Sequence, residues 1–310
     1  MATPGTTPRC WARHTGILAC VPSHVEGVVR SVRMGVMPKA PREARAVVPA
    51  AATADRPPGR TVDYGEFSVF VPFYAYAGDG VAAIRLDGTL GKSASKFIDT
   101  STAFVRDALA AAVEDPKVAS VLLILDSPGG YVAGTEDLAD AVRATNEQKP
   151  VVAYVEDLCC SAAYWVASQA RAIYANAGAF VGSIGVFAVV EDSSKMAEVA
   201  GVTVHVISTG PLKGAGAPGA PITDEQLAAW QTEIDDTMSR FESAVRKGRA
   251  MTSRQVTEVT TGGTWIADKA KALGLIDGVK PLDVVVAAMP KPRKAKASAA
   301  DALTRLAEAE

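Results

Sequence analysis

The sequence predicts an α/β fold built on a mainly parallel sheet. Short apolar, β-branched runs alternate with segments of helical spacing, the order that parallel sheets with crossover helices produce. Residues 118–125 are nearly all apolar, as a strand buried on both faces must be. The length, 310 residues, allows one large domain or two small ones at about 150 residues each.

Residues 81–86 read as a strand closed by the turn pair Asp87-Gly88. Phe104, Val105, Leu109 and Val113 recur at helical spacing, and Asp115-Pro116 ends that helix. The strand at 118–125 runs into Asp126-Ser127-Pro128-Gly129-Gly130, read as a turn. Residues 135–145 are helical, 151–155 a strand and 161–170 a helix. Residues 173–175, 186–190 and 202–207 read as strands, with a helix over 193–200 among them. Thr223 and Gln226 then form the T-x-x-Q signature of a capping box. Leu227, Trp230, Ile234, Met238, Phe241 and Val245 mark one apolar face of the long helix that follows. Such a stripe packs on the chain's own core or on another subunit.

Hydrophobic residues make up 48% of the chain and charged ones 21%, which excludes a wholly disordered protein. Four cysteines are too few for a disulfide framework and fit a reducing compartment. The net charge of −2 hides an asymmetry: residues 1–60 carry +6, residues 280–310 carry +2, and the stretch between carries −10. An acidic body argues against nucleic acid as a partner, because phosphate binding needs a basic surface. Residues 1–62, rich in Pro, Ala and Arg and without periodicity, are expected to be a disordered arm. Their few acidic residues also permit a transit peptide. Residues 287–310 form a Lys/Ala-rich tail, which leaves 63–286 as the single folded domain. The apolar stretch 16–21 is shorter than the roughly 7–15 residues of a signal-peptide core. Residues 172–190 are uncharged but hold Asn176, Ser183 and three glycines, and read as core rather than as a membrane span. Neither a signal peptide nor an integral membrane segment is expected.

Three features can carry chemistry. The first is Asp126-Ser127-Pro128-Gly129-Gly130, at the carboxyl end of the buried strand, where open α/β sheets place their ligands. Two glycines leave backbone N–H groups open to an oxyanion, and the plain alternative is a strand-to-helix turn. It is not a phosphate loop, since no Gly-Lys-Ser/Thr follows. The second is Cys159-Cys160-Ser161-Ala162-Ala163-Tyr164-Trp165, where Ser161 stands at a helix start among small neighbours. The plain alternative is that Ser161 is an N-cap; the cysteines are read as buried packing. The third is Lys213, in Ser208-Thr209-Gly210-Pro211-Leu212-Lys213-Gly214, either a solvated loop lysine or a base in apolar surroundings. Histidine is scarce: His14 and His24 lie in the arm, and His205 falls mid-strand in the expected pattern. With no H-E-x-x-H, paired C-x-x-C or G-x-G-x-x-G, zinc and dinucleotide readings lose support.

Taken together, Asp126 to Gly130, Ser161-Ala-Ala-Tyr-Trp165, Gly182-Ser-Ile-Gly-Val186 and Thr209-Gly-Pro-Leu-Lys213 occur in the order seen in the signal peptide peptidase A family, which the chain resembles from about residue 81 to 279. The resemblance implies a Clp protease/crotonase-like fold of repeated ββα units and a Ser/Lys dyad. Ser161 becomes the nucleophile, Lys213 the general base and Ser183 the auxiliary serine that holds the lysine. The backbone N–H groups of Gly130 and Ala162 become the oxyanion hole. Many bacterial members carry two glycines after the nucleophile, where this chain has Ala162-Ala163, and the usual Ser-Gly before the lysine region is Thr209-Gly210. The Ala-Ala-Tyr-Trp form is closer to the phage and prophage branch, whose members process capsid proteins. The implied protein is a serine endopeptidase acting on polypeptides, a homo-oligomer without metal or cofactor, cytoplasmic or associated with a phage procapsid. Its substrates would be signal-peptide remnants or capsid proteins. Two rivals stand beside it: a crotonase-like acyl-CoA enzyme, which would need neither Ser161 nor Lys213, and a non-catalytic assembly module.

Overall fold

The computed structural model describes residues 18–20, 57–64, 67–93 and 98–291. The chain forms β1 (Leu18–Cys20), β2 (Gly59–Tyr64), β3 (Phe67–Pro72), β4 (Ala75–Tyr76), β5 (Val81–Gly91), β6 (Thr100–Ser101), α1 (Thr102–Glu114) and β7 (Ser120–Tyr131). There follow α2 (Thr135–Gln148), β8 (Val151–Cys160), α3 (Ala162–Ala167), β9 (Ala172–Ala175), β10 (Phe180–Gly182), α4 (Ser194–Val199) and α5 (Asp224–Gly248). The last elements are α6 (Ser253–Val259), β11 (Thr264–Ile266), α7 (Ala267–Ala272), β12 (Gly278–Val279) and α8 (Leu282–Ala288). Most of the expected arm, and the tail beyond residue 291, lie outside the described residues.

The α/β class is borne out. The main sheet has the order β11-β10-β8-β7-β5-β4. β5 runs parallel to β7 (Val81↔Ser120), and β7 parallel to β8 (Val121↔Val151). β7 explains why residues 118–125 carry no polar alternation. Val121, Leu123 and Leu125 face a core shared with Val105 and Leu109 of α1 and Leu138 and Val142 of α2. Leu122 and Ile124 point to the opposite face, which Val285 of α8 and Met289 just past its end cover. Alternate residues of one strand therefore serve two cores. Each fully buried leucine contributes about 1.5–3 kcal/mol of burial energy.

Where α8 stops, the second face turns polar. Arg85 of β5 donates to Asp87 on its own strand through Nε and Nη2, and to Glu156 of β8 through Nη1 and Nη2. These charge-assisted, forked bonds satisfy a guanidinium that is only 19% exposed.

Three expectations are corrected. Asp126 to Gly130 is not a turn but the continuation of β7, which runs to Tyr131. Residues 202–207 form no strand: they are irregular and mostly exposed, and His205 with them. Residues 186–190 form none either, beyond a bridging pair at Phe187. A β-branched run becomes a strand only when a neighbour takes its backbone hydrogen bonds, and no described strand lies along these two segments.

Candidate active site

The site is built where β7 and β8 part. They pair from Val121↔Val151 as far as Ser127↔Cys159; β8 then ends at Cys160, and Ser161 turns the chain into α3. β7 continues straight, still paired with β5 through Thr89↔Gly129 and Leu90↔Gly130. Ser127 secures the irregular step: its hydroxyl donates to the Gly88 carbonyl at 2.6 Å and accepts from the Gly129 N–H at 3.1 Å. Gly130 then lies so close to β5 that a Cβ there would stand 2.1 Å from the Leu90 carbonyl oxygen. Only glycine fits this approach.

Ser161 is buried, with φ 53° and ψ −121°, a backbone conformation that side-chain-bearing residues rarely adopt. Its N–H donates to the Gly182 carbonyl at 2.7 Å, and its carbonyl accepts from the Trp165 N–H at 2.9 Å. The hydroxyl makes no cap to α3 and instead donates a long 3.5 Å hydrogen bond to the Gly185 carbonyl. The N-cap alternative is therefore set aside. A strained serine at a strand-to-helix turn, with its hydroxyl making no helix cap, is placed where a nucleophile could stand, and no base lies in hydrogen-bond reach of it among the described residues. Ala162, the first residue of α3, has an N–H without an intrahelical acceptor.

The Gly182 to Val186 segment comes alongside because β10 pairs parallel with β8, Gly182 opposite Cys160. Ser183 follows at φ 50°, nearly buried, with its N–H on the Gly263 carbonyl at 2.6 Å. Two serines in left-handed backbone thus stand on adjacent strands. Sequence reasoning quoted Ser127 and Gly185 within motifs but gave them no part. The clasp on Gly88 and the carbonyl facing Ser161 are contacts between segments that sequence spacing does not reveal.

Lys213 lies elsewhere. It sits in an exposed turn, its N–H bonded to the Gly210 carbonyl at 3.0 Å, and no hydrogen bond joins its side chain to Ser161 or Ser183. The stretch 189–227 that holds it exposes Val189, Met196, Val199, Ile207, Leu212 and Leu227, alongside charged Lys195, Glu198 and Asp224. The expected stripe on α5 divides accordingly. Phe241 and Val245 are buried in the core, Trp230, Ile234 and Met238 are partly covered, and Leu227 is open.

Cys159 and Cys160 are fully buried. Burial pushes the Cys160 thiol up to about 12 and that of Cys159 well above its ordinary range, so neither supplies the thiolate a nucleophile requires. Asp126 is held above the usual carboxylate range by burial, then by the charges of Asp157, Asp87 and Glu156.

Comparison with known proteins agrees with the motifs. Residues 143–296 match the family described as peptidase family S49; Ser161, Ser183 and Lys213 fall inside this stretch and Gly130 before it. The chain is 30% identical over 242 residues to Protease 4 of Salmonella typhi, across 76% of this chain and 38% of that protein. It is 33% identical over 166 residues to Capsid assembly protease C of Escherichia phage lambda, across 54% of this chain and 38% of that one. The chain thus spans about two fifths of the length of these curated relatives. A solved membrane-bound stomatin-specific protease is similar at a TM-score of 0.40 and 13% identity, over 68% of this chain and 84% of that one. Among the described residues no helix is long and apolar enough to cross a membrane. The match to the peptidase family S49 model over residues 143–296 and the protease-named relatives bear out the resemblance to SppA-like peptidases that the motifs carry.

Proposed function

We propose that this chain is a serine endopeptidase in which Ser161 is the nucleophile and Lys213 of a neighbouring copy is the general base. The observation that carries the reading is Ser161: buried, strained, and with a hydroxyl directed away from helix capping at the point where β8 leaves the glycine-rich end of β7. The match of residues 143–296 to a peptidase family supports the reaction class. A base supplied in trans is supported by the distance in kind between the two residues, one buried and one on an exposed apolar surface. A second copy covering that surface would desolvate the lysine and favour its neutral form.

The neutral amine accepts the Ser161 proton as Oγ bonds to the scissile carbonyl carbon. The resulting oxyanion is held by the N–H groups of Gly130 and Ala162, and Ser183 positions the lysine. The ammonium returns its proton to the leaving nitrogen as the C–N bond breaks. Water then gives a proton to the lysine and attacks the acyl group, and Ser161 leaves with its proton restored. The substrate is a polypeptide. The names of the relatives point to general proteolysis and to capsid assembly, and we favour a homo-oligomer acting in the cytoplasm or on an assembling capsid.

The test is complementation. Ser161→Ala and Lys213→Ala proteins, each inactive, are mixed under conditions that allow subunit exchange, and activity returns. A fluorophosphonate probe labels the wild-type chain at Ser161, read by peptide mapping. Labelling at another residue, or full activity in Lys213→Ala, overturns the reading.

A further inference from the structure

We propose that the chain's own segment Leu18–Cys20 occupies the strand position in which a peptide substrate binds, and so competes with substrate from within the molecule. The word substrate rests on the peptidase reading above; the occupancy rests on the sheet alone. β7 has two edges. One is held by β5 along its whole length, to Leu90↔Gly130. The other is held by β8 only as far as Ser127↔Cys159. Beyond that point β8 turns away through Ser161, and the vacated edge is taken by β1, antiparallel, with Leu18↔Tyr131, Ala19↔Gly130 and Cys20↔Gly129. β1 therefore begins two residues past the last β7–β8 pair on one strand, and Ser161 stands two residues past it on the other. An extended segment laid here runs beside both the oxyanion strand and the nucleophile.

The chemistry of such an edge is strand addition: main-chain hydrogen bonds supply the affinity and accept any extended segment, with side chains refining the choice. The run Gly16-Ile17-Leu18-Ala19-Cys20 is uncharged inside a basic arm, so it brings no charge to the sheet edge. Tethering gives it an effective concentration on the order of millimolar, which a free peptide must exceed. The affinity seen by an outside peptide is then its intrinsic affinity scaled by the fraction of chains with the edge open.

The test uses the full-length chain with Leu18→Pro or Ala19→Pro. Successive N–H groups of a strand point to opposite edges, so one substitution removes a bond to β7 and the other serves as its control. A fluorescent synthetic peptide of residues 14–24 is titrated into each variant in the Ser161→Ala background and followed by anisotropy. One proline variant is expected to bind it about five-fold tighter than the parent, the equivalent of one backbone hydrogen bond. The same variant, with Ser161 intact, lowers KM by a similar factor and leaves kcat unchanged. Its amide exchange across residues 129–131 rises. If both proline variants match the parent in binding and exchange, the proposal is wrong. If no form cleaves peptides, the peptidase reading fails while the binding comparison still decides the occupancy.

Discussion

Phe241 stacks face to face on Trp165, with ring centroids 4.6 Å apart and planes 8° from parallel. Trp165 lies four residues past Ser161 on α3, so this contact fastens the C-terminal half of α5 to the helix that follows the candidate nucleophile. The N-terminal half of the same helix is anchored more lightly among the described residues, by the hydrogen bond from Gln226 to the Pro211 carbonyl, and Leu227 remains half exposed. Phe241→Ala should therefore destabilise the fold by about 3–5 kcal/mol, the cost of a large aromatic cavity. Leu227→Ala should change the unfolding free energy of a dilute, dissociated chain by less than about 0.5 kcal/mol, yet weaken self-association. Denaturant titration and sedimentation separate the two effects.

Gly130→Ala should inactivate and destabilise together. The added carbon meets backbone rather than a movable side chain, 2.1 Å from the Leu90 carbonyl oxygen, so β5 and β7 must separate. Overpacking of this kind costs about 1–3 kcal/mol. A variant with wild-type turnover and melting temperature would show that Gly130 is neither constrained nor near the reacting atoms.

Ser161 stores backbone strain. At φ 53° a Cβ is unfavourable and glycine is not, so Ser161→Gly should exceed Ser161→Ala in stability by about 1 kcal/mol, with both inactive. Thermal unfolding of the two side by side checks this. Equal melting temperatures would mean that the conformation relaxes once the hydroxyl is gone.

Asp126 gives a pH dependence with a definite sign. Burial, then the carboxylates of Asp157, Asp87 and Glu156, raise its folded-state pKa, so between the unfolded value of about 3.9 and that raised value the native state binds more protons than the unfolded one. Its contribution to stability therefore falls as pH rises through this window, and its full cost is present at neutrality. Asp126→Asn should raise the melting temperature at pH 7, and the gain should shrink as pH falls through that window towards about 4. Melting curves of both proteins at pH 7 and pH 4 decide it; a loss of stability at pH 7 refutes the assignment.

What the sequence made legible were features that repeat locally. The doubly buried β7 follows from a run of residues with no polar partner, and the cap of α5 from Thr223 and Gln226, whose reciprocal bonds both form at 3.3 Å. Asp126 to Gly130 was misread because Pro and Gly are the residues of turns. Here Pro128 sits where β7 slips register against β5 and one residue past its last pair with β8, so its missing N–H costs no ladder bond, and Gly130 serves a close approach. Residues 202–207 have the alternation of a strand, but alternation does not supply a partner. The motif order brought Ser161 and Ser183 forward, and β8–β10 pairing sets them side by side. It also named Lys213, but sequence order cannot say from which copy a base comes.

The long helix is a rod. Its 25 residues span about 37 Å at 1.5 Å per residue, one end clamped on Trp165 and the other held at the surface by the hydrogen bond from Gln226 to the Pro211 carbonyl. If copies pack as proposed, a load placed near Leu227 is delivered undamped to the aromatic clamp behind the nucleophile. Assembly and alignment of Ser161 then share one mechanical degree of freedom. Dilution would consequently act as a throttle, lowering turnover per chain before any chain unfolds.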